Sequence, residues 1–352
     1  MDWPWNSDNR ASQSVLRYSA DLFAYVVARA DPSGPRHILQ WGALWRGQDS
    51  AEQFAKRVRA LGSELGKAPA LALLESTDYQ VLRIAAPRVP PNEMKAAARW
   101  QIKGLIDTPL DQLTLDVLHV GSAAPHPNGE LFVIAAANPP LQALGSRCRA
   151  AKLDMQTIDI WETALRNLQS AQARLDGLGE RACALLYLQD SQCWFSICAG
   201  GELYYTRRLD WDTRLAESAS LRAIQPAAVL EQPLGYEYMP GDDLDQSAPD
   251  STDNNDYESD LIIELQRTLD GWERSWPALP LARLYLLLPD DLNQNGGVAR
   301  LLQAALRLSV TELALTALFT GLPSSNERNE RNDEFLACVP LLGACLRFEA
   351  TH

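Results

Sequence analysis

Histidine is scarce in this chain. Only His37, His119, His126 and His352 occur, and none has a second histidine four residues on, which excludes a helix-borne zinc site. GxSxG and GxGxxG are both missing, so a nucleophile elbow and a dinucleotide fingerprint are excluded. There is no run of Lys or Arg, and the formal net charge is −13. Such a chain repels a phosphate backbone, and nucleic acid is not an expected partner. No apolar run reaches the roughly 18 residues of a membrane span. The nearest, FLACVPLLGACLRF, is interrupted by Pro340 and reads as a buried helix. The start, MDWPWNSDNR, lacks the basic and apolar segments of a secretory signal. The expected place is the cytoplasm, with any membrane association made through a partner rather than by direct insertion.

Six cysteines, Cys148, Cys183, Cys193, Cys198, Cys338 and Cys345, sit inside apolar runs without a CxxC pair. They read as buried, reduced thiols. Hydrophobic residues make up 46% of the 352, enough for a sizeable core in one large domain or two ordinary ones.

Strands and helices alternate up to about residue 175. LFAYVVA and ILQWGALW read as strands. Ser50 reads as the N-cap of a helix whose Phe54, Val58, Leu61 and Leu65 recur at helical spacing. ALALLE and YQVLRIA are short strands. Pro91 and Asn92 open a helix that Thr108-Pro109 closes. LTLDVLHV and ELFVIAAA are strands, PPLQALGSRCRAA a helix, MQTIDI a strand and WETALRNLQSAQARL a long helix. The pattern then restarts with three hairpin strands, ACALLYL, CWFSICA and ELYYTRRL. DLIIELQRTLDGWERSW and VARLLQAALRL read as helices, ARLYLLLP and TELALTALF as strands. Two α/β units of this kind suggest a duplicated architecture. The polar stretch from 240 to 260, rich in carboxylates and without a base, reads as a solvated, disordered loop. SSNERNERNDE reads as another.

Few segments suggest chemistry. GSELGKA is one residue short of a phosphate-binding loop and has Ala68 where a magnesium ligand would stand. Gly66 and Lys67 read better as a helix end. The turn NQNGG, before a helix, allows close backbone approach to an anion or is a plain strand-to-helix turn.

ARWQIKGLIDTPLDQLTLDVLHV, residues 98 to 120, resembles a segment of PilM-like pilus assembly proteins, specifically the MshI type of the mannose-sensitive haemagglutinin (MSHA) pilus. ELYYTRRL and LLGACLRFE resemble other parts of the same family, and together the matches run in order along most of the chain. The resemblance implies an α/β, actin-like ATPase fold, with two ribonuclease-H-like domains and a cleft between them. It places domain I at 1–175, with an inserted subdomain at about 88–155 and a returning C-terminal helix at 335–350. Domain II follows at 176–334. It also implies a cytoplasmic scaffold, peripheral to the inner membrane, that binds the N-terminal tail of a PilN-like bitopic inner-membrane protein and a pilus extension ATPase. The cytoplasmic domain of a type II secretion L protein is a related reading, but that protein continues into a membrane span.

Actin-like sites hold nucleotide with two acidic hairpins whose glycines admit phosphate. The corresponding positions are Asp21 in SADLF, and Asp190 and Ser191 in LQDSQCW, neither with a glycine. Only Gly296 and Gly297, on the adenosine side, match. The expectation is a vestigial pocket with no cofactor and no enzyme activity. The alternative is an actin-like ATPase that binds ATP with magnesium and switches platform assembly. Trp100 projects roughly 170° from the stripe Met94, Ala98, Ile102, Leu105 and Ile106. It is either buried against a neighbouring subdomain or loop, or an aromatic anchor in a partner groove.

Overall fold

The computed structural model describes residues 12–29, 35–65, 68–121, 129–189, 192–211, 253–289 and 296–347. Gly66, Lys67, Asp190, Ser191 and the acidic stretch up to residue 252 lie outside them. The chain falls into two compact units. One comprises Met1–Leu185, Phe195–Arg207 and Leu313–His352, and the other Leu186–Trp194 and Arg208–Glu312.

The first unit is built on a six-stranded sheet. β1 (Ser12–Tyr18), β2 (Leu22–Arg29) and β3 (Arg36–Trp45) form an antiparallel meander. β4 (Ala70–Leu73) then pairs in parallel with β1, and β8 (Met155–Asp159) in parallel with β4. The two-residue β14 (Phe319–Thr320) completes the order β14-β3-β2-β1-β4-β8. Sequence reading starts its first strand at Leu22 and misses β1. Val15 and Leu16 are a short apolar pair flanked by polar residues, and Ser14 to Leu16 are buried by packing with segments distant in sequence.

α1 (Ala51–Glu64) begins at Ser50 as expected, with a capping box: Gln53 N–H donates to Ser50 Oγ, and Ser50 N–H donates to Gln53 Oε1. α3 (Asn138–Ala150) and α4 (Trp161–Leu175) follow in this unit. The apolar C-terminal run is α9 (Asn332–Cys345), buried without a break from Ala337 to Cys345. It crosses α4 so closely that a Cβ on Gly343 would stand 2.2 Å from the Ala164 carbonyl oxygen.

Between β4 and β8 the chain builds a separate three-stranded antiparallel sheet. β5 (Tyr79–Ala85), β6 (Leu113–His119) and β7 (Glu130–Ala137) stand in the order β5-β7-β6. This sheet starts at Tyr79, ahead of the expected 88, because β5 pairs along its whole length with β7. α2 (Met94–Gln101) covers one face, where Ala98 and Ile102 pack on Ile84, Leu113, Leu115, Leu131, Val133 and Ala135. α2 stops at Gln101, well before Thr108. Arg99 reaches back to the carbonyls of Leu110 and Leu113 and holds the returning chain against the helix end. Met94 and Ile106 of the expected stripe pack on the cluster, but Leu105 is 58% exposed.

A second sheet joins β9 (Ala182–Gln189), β10 (Gln192–Ala199), β11 (Glu202–Asp210), β12 (Leu281–Leu287) and β13 (Val310–Glu312). Its order, β11-β10-β9-β12-β13, repeats the order β3-β2-β1-β4-β8 of the first sheet, so the architecture is duplicated. α5 (Asp253–Ser275) and α6 (Gly297–Leu306) accompany it in the second unit. Residues 253–260, expected in a disordered loop, are the first turns of α5. TELALTALF is not one strand. β13 ends at Glu312, α7 (Leu315–Leu318) follows, and β14 then pairs with β3. The supposed loop SSNERNERNDE is largely helical. Ser324 caps α8 (Ser325–Glu330) by accepting the Glu327 N–H, and α9 starts at Asn332.

Candidate functional site

A cleft of about 690 Å³ opens within the first unit, with the inserted sheet on one side and α4 on the other. The period of a strand makes the first wall. Leu113 and Leu115 enter the apolar cluster under α2, and Thr114 and Asp116 are left on the other face. The cleft runs along Thr114 to Leu118, with Ile134 and Ala136 of β7 behind them. Among the described residues β6 is the last strand of its sheet, so this wall is an open edge.

The period of a helix makes the second wall. Thr163, Arg166, Asn167, Ser170 and Arg174 recur at spacings of three and four and form one stripe along α4. Among the described residues, five of the seven buried polar ones, Glu162, Asn167, Gln169, Ser170 and Gln172, are on this helix. Most have partners. Gln169 donates to the Cys183 carbonyl and accepts from Ser196 Oγ, and Asn167 Nδ2 donates to the Gly343 carbonyl. Ser170 does not: its hydroxyl is buried without a hydrogen-bond partner, in a residue 7% exposed. Arg166 donates to Asn167 Oδ1 at 3.2 Å and has no carboxylate partner among the described residues.

Two networks set the position of α4 against the sheets. Tyr79 at the start of β5 donates to Glu162 Oε2 at 2.6 Å and accepts the Trp161 N–H at 3.1 Å. The Trp161 indole donates to the Leu74 carbonyl at 3.0 Å. The end of β4, the start of β5 and the first turn of α4 are therefore tied together in a buried cluster. At the end of β8, Asp159 Oδ1 accepts from the Ile160 N–H and the Thr163 hydroxyl, and Oδ2 from Arg347 at 3.2 Å. The exposed pair Lys95–Asp116, 2.9 Å apart, joins α2 to β6 and contributes little to stability. Four cations, Lys95, Arg166, Arg174 and Arg347, face two carboxylates, Asp116 and Asp159, in a chain of net charge −13. Ile158 of β8, 37% exposed, adds an apolar contact.

No group of metal-binding side chains occurs among the described residues. All six thiols are buried, and burial pushes Cys148 up to about 11 and Cys338 and Cys345 up to about 12, so none is a ready nucleophile.

Of the sequence-predicted nucleotide residues, Asp190 and Ser191 lie outside the described residues. Asp21, in the turn between β1 and β2, pairs with Arg46 at 3.0 Å and accepts its backbone N–H. Gly296 adopts φ +67° as the N-cap of α6, and Gly297 is the first, buried residue of that helix. Positive φ, not a close contact, is what calls for glycine at 296, since an added Cβ would meet only the Arg300 guanidinium at 3.7 Å. Asp21 belongs to the first unit and Gly296 and Gly297 to the second.

Trp100 is 68% exposed, with Lys103 Nζ 5.7 Å from its ring centroid. Burial against a neighbouring subdomain or loop is therefore ruled out. Ala98 and Ile102 occupy the seam, and the opposite side of so short a helix meets solvent. Trp100 does not line the cleft either. The cleft residues Arg166 and Ser170 carry no sequence motif; their only signal is a polar stripe on an otherwise buried helix.

No family model matches the chain, and no curated protein matches it. Solved structures do. A chain of a PilM-PilN type IV pilus biogenesis complex superposes with a TM-score of 0.65 at 16% identity, covering 96% of this chain and all of that one. A Bacteroides thetaiotaomicron protein with an actin-like ATPase fold and unknown function gives 0.45 at 10% identity, covering 90% and 95%. The cytoplasmic domain of EpsL, an inner-membrane component of the Vibrio cholerae type II secretion system, gives 0.41 at 11%, covering 62% and 79%. At such identities the likeness is one of fold. With the strand order repeated in two sheets, the chain has the α/β actin-like ATPase fold.

Proposed function

We propose that this chain is a non-enzymatic scaffold of a type IV pilus assembly platform, of the MSHA (MshI) type. Its cleft would receive the extended N-terminal tail of a PilN-like inner-membrane protein. The observation that carries the reading is the open edge of β6, five residues long within the cleft, facing the polar stripe of α4. An extended peptide adds to such an edge through its main chain and is read by the side chains opposite. The structural neighbour named as a PilM-PilN complex supports a partner of this class. No helix among the described residues is long and apolar enough to cross a membrane, so a partner's membrane segment is the proposed anchor at the cytoplasmic face. A pilus extension ATPase is the second proposed partner.

The nucleotide pocket is proposed to be vestigial. Asp21 is engaged by Arg46, and neither acidic hairpin carries a glycine. The Gly296 turn at the N-terminus of α6 favours the other reading, a nucleotide-binding switch. Titration of the full chain with the tail peptide, with and without Mg-ATP, tests both. The scaffold reading expects micromolar or tighter peptide binding that ATP leaves unchanged. Absence of peptide binding overturns it, and ATP-dependent binding with turnover replaces it with the switch.

A further inference from the structure

The cleft holds two polar groups that the fold leaves unused. Burying a hydroxyl without a partner is unfavourable, and natural cores satisfy such groups. Ser170 Oγ is buried without a hydrogen bond. One turn earlier on the same stripe, Arg166 spends a single hydrogen bond on Asn167. A guanidinium has five N–H donors, so further donors are available beside a hydroxyl that also donates. Of the other cations in the cleft, Lys95 is paired by Asp116 and Arg347 by Asp159. The wall opposite is apolar at Leu118, Ile134 and Ala136.

We infer that the segment entering this cleft is extended and places one side-chain oxygen acceptor against Arg166 and Ser170. The acceptor is the carboxylate of Asp or Glu or the amide oxygen of Asn or Gln. Side chains of alternate residues turn to the apolar wall of β6 and β7, as the two-residue period of a strand requires. The Arg166 guanidinium complements such a side chain in a chain that is otherwise acidic. The inference rests on the scaffold reading above and adds to it the chemistry by which the tail is selected.

Ser170 supplies a signature that a merely structural residue would not. Ser170→Ala removes an unsatisfied hydroxyl, so the melting temperature of the free chain is expected to stay level or rise while peptide affinity falls about threefold or more. Arg166→Gln is expected to weaken the peptide at least tenfold, as loss of a charge-assisted bond does. The probe is the first twenty residues of the PilN-like protein, with each Asp, Glu, Asn and Gln changed singly to Ala. One position is expected to match the loss caused by Arg166→Gln and to be non-additive with it. Affinity that falls steeply with salt assigns a carboxylate, and affinity indifferent to salt a carboxamide. If Ile134→Glu abolishes binding while Arg166→Gln and Ser170→Ala bind as the parent does, the tail occupies the cleft without this acceptor and the inference falls. Should all three bind normally, the cleft reading falls with it.

Discussion

The inserted sheet has two unlike faces. One is dry: Leu113, Leu115, Leu131, Val133 and Ala135 close under Ala98 and Ile102 of α2. The other, with Thr114, Asp116, Ile134 and Ala136, meets the polar stripe of α4 across open space. Strand alternation assigns alternate side chains to the two faces, so the same seven residues of β6 make both a core and a wall of the cleft. The difference shows how one small sheet can be closed on one side and left open on the other. The covered face keeps the sheet folded, and the uncovered face stays available.

The largest expected effect comes from breaking the dry face. Ile102 is fully buried, and Ile102→Ala should cost about 2–4 kcal/mol in chemical denaturation. Because the insert carries one wall of the cleft, tail binding should fall with it. A loss of under 0.5 kcal/mol would show that α2 does not hold the sheet.

A smaller effect should separate the two sheets from each other. Tyr79→Phe deletes the hydroxyl that serves both Glu162 and the Trp161 N–H. About 1–3 kcal/mol should be lost, and peptide binding should weaken more than stability alone explains, since the first turn of α4 is no longer tied to β5. Unchanged affinity in a fully folded variant would remove this network from the site.

Trp100→Ala sharpens the comparison from the other side. With the ring exposed and outside the cleft, stability should change by less than about 0.5 kcal/mol and tail affinity should not change. A clear drop in affinity would extend the site around α2 and return Trp100 to the role of an anchor.

The smallest effect lies in the strap between β4 and β5. Burial, and then the nearby Glu75 carboxylate, raise the pKa of Asp78 above its ordinary value. A raised carboxyl pKa means that the folded state binds the proton better than the unfolded state does. Ionised Asp78 therefore opposes folding at neutral pH, and the opposition fades as pH falls through the raised folded pKa and is gone below the unfolded one. Asp78→Asn should raise the melting temperature slightly at pH 7 and lose that advantage by about pH 3. An equal gain at both pH values would mean that charge is not the cause.

Much of the fold was legible in the sequence. The stripe of α1 with its Ser50 cap and the alternation of β6 are local patterns that appear where expected, and the buried C-terminal helix is present at Asn332–Cys345 rather than 335–350. The misreadings share a cause. β1 is too polar to announce itself and is a strand because β2 and β4 pair with it while α3 and α9 pack on it. The break in TELALTALF comes from β13 pairing with β12 and β14 with β3. The helices at 253–260 and 325–330 are polar segments that composition alone assigns to loops.

The sequence by itself determined the class of elements, the duplicated α/β alternation and the lack of zinc-protease, hydrolase and dinucleotide motifs. These follow from short-range periods of two and 3.6 residues and from residue counts. Only the tertiary structure decided that β6 ends its sheet among the described residues, that the Ser170 hydroxyl is buried without a partner beside Arg166, and that Trp100 is exposed and does not line the cleft. An open edge and an unsatisfied donor are defined by what the rest of the chain fails to supply. No local pattern can record that, because it depends on packing between segments far apart in sequence.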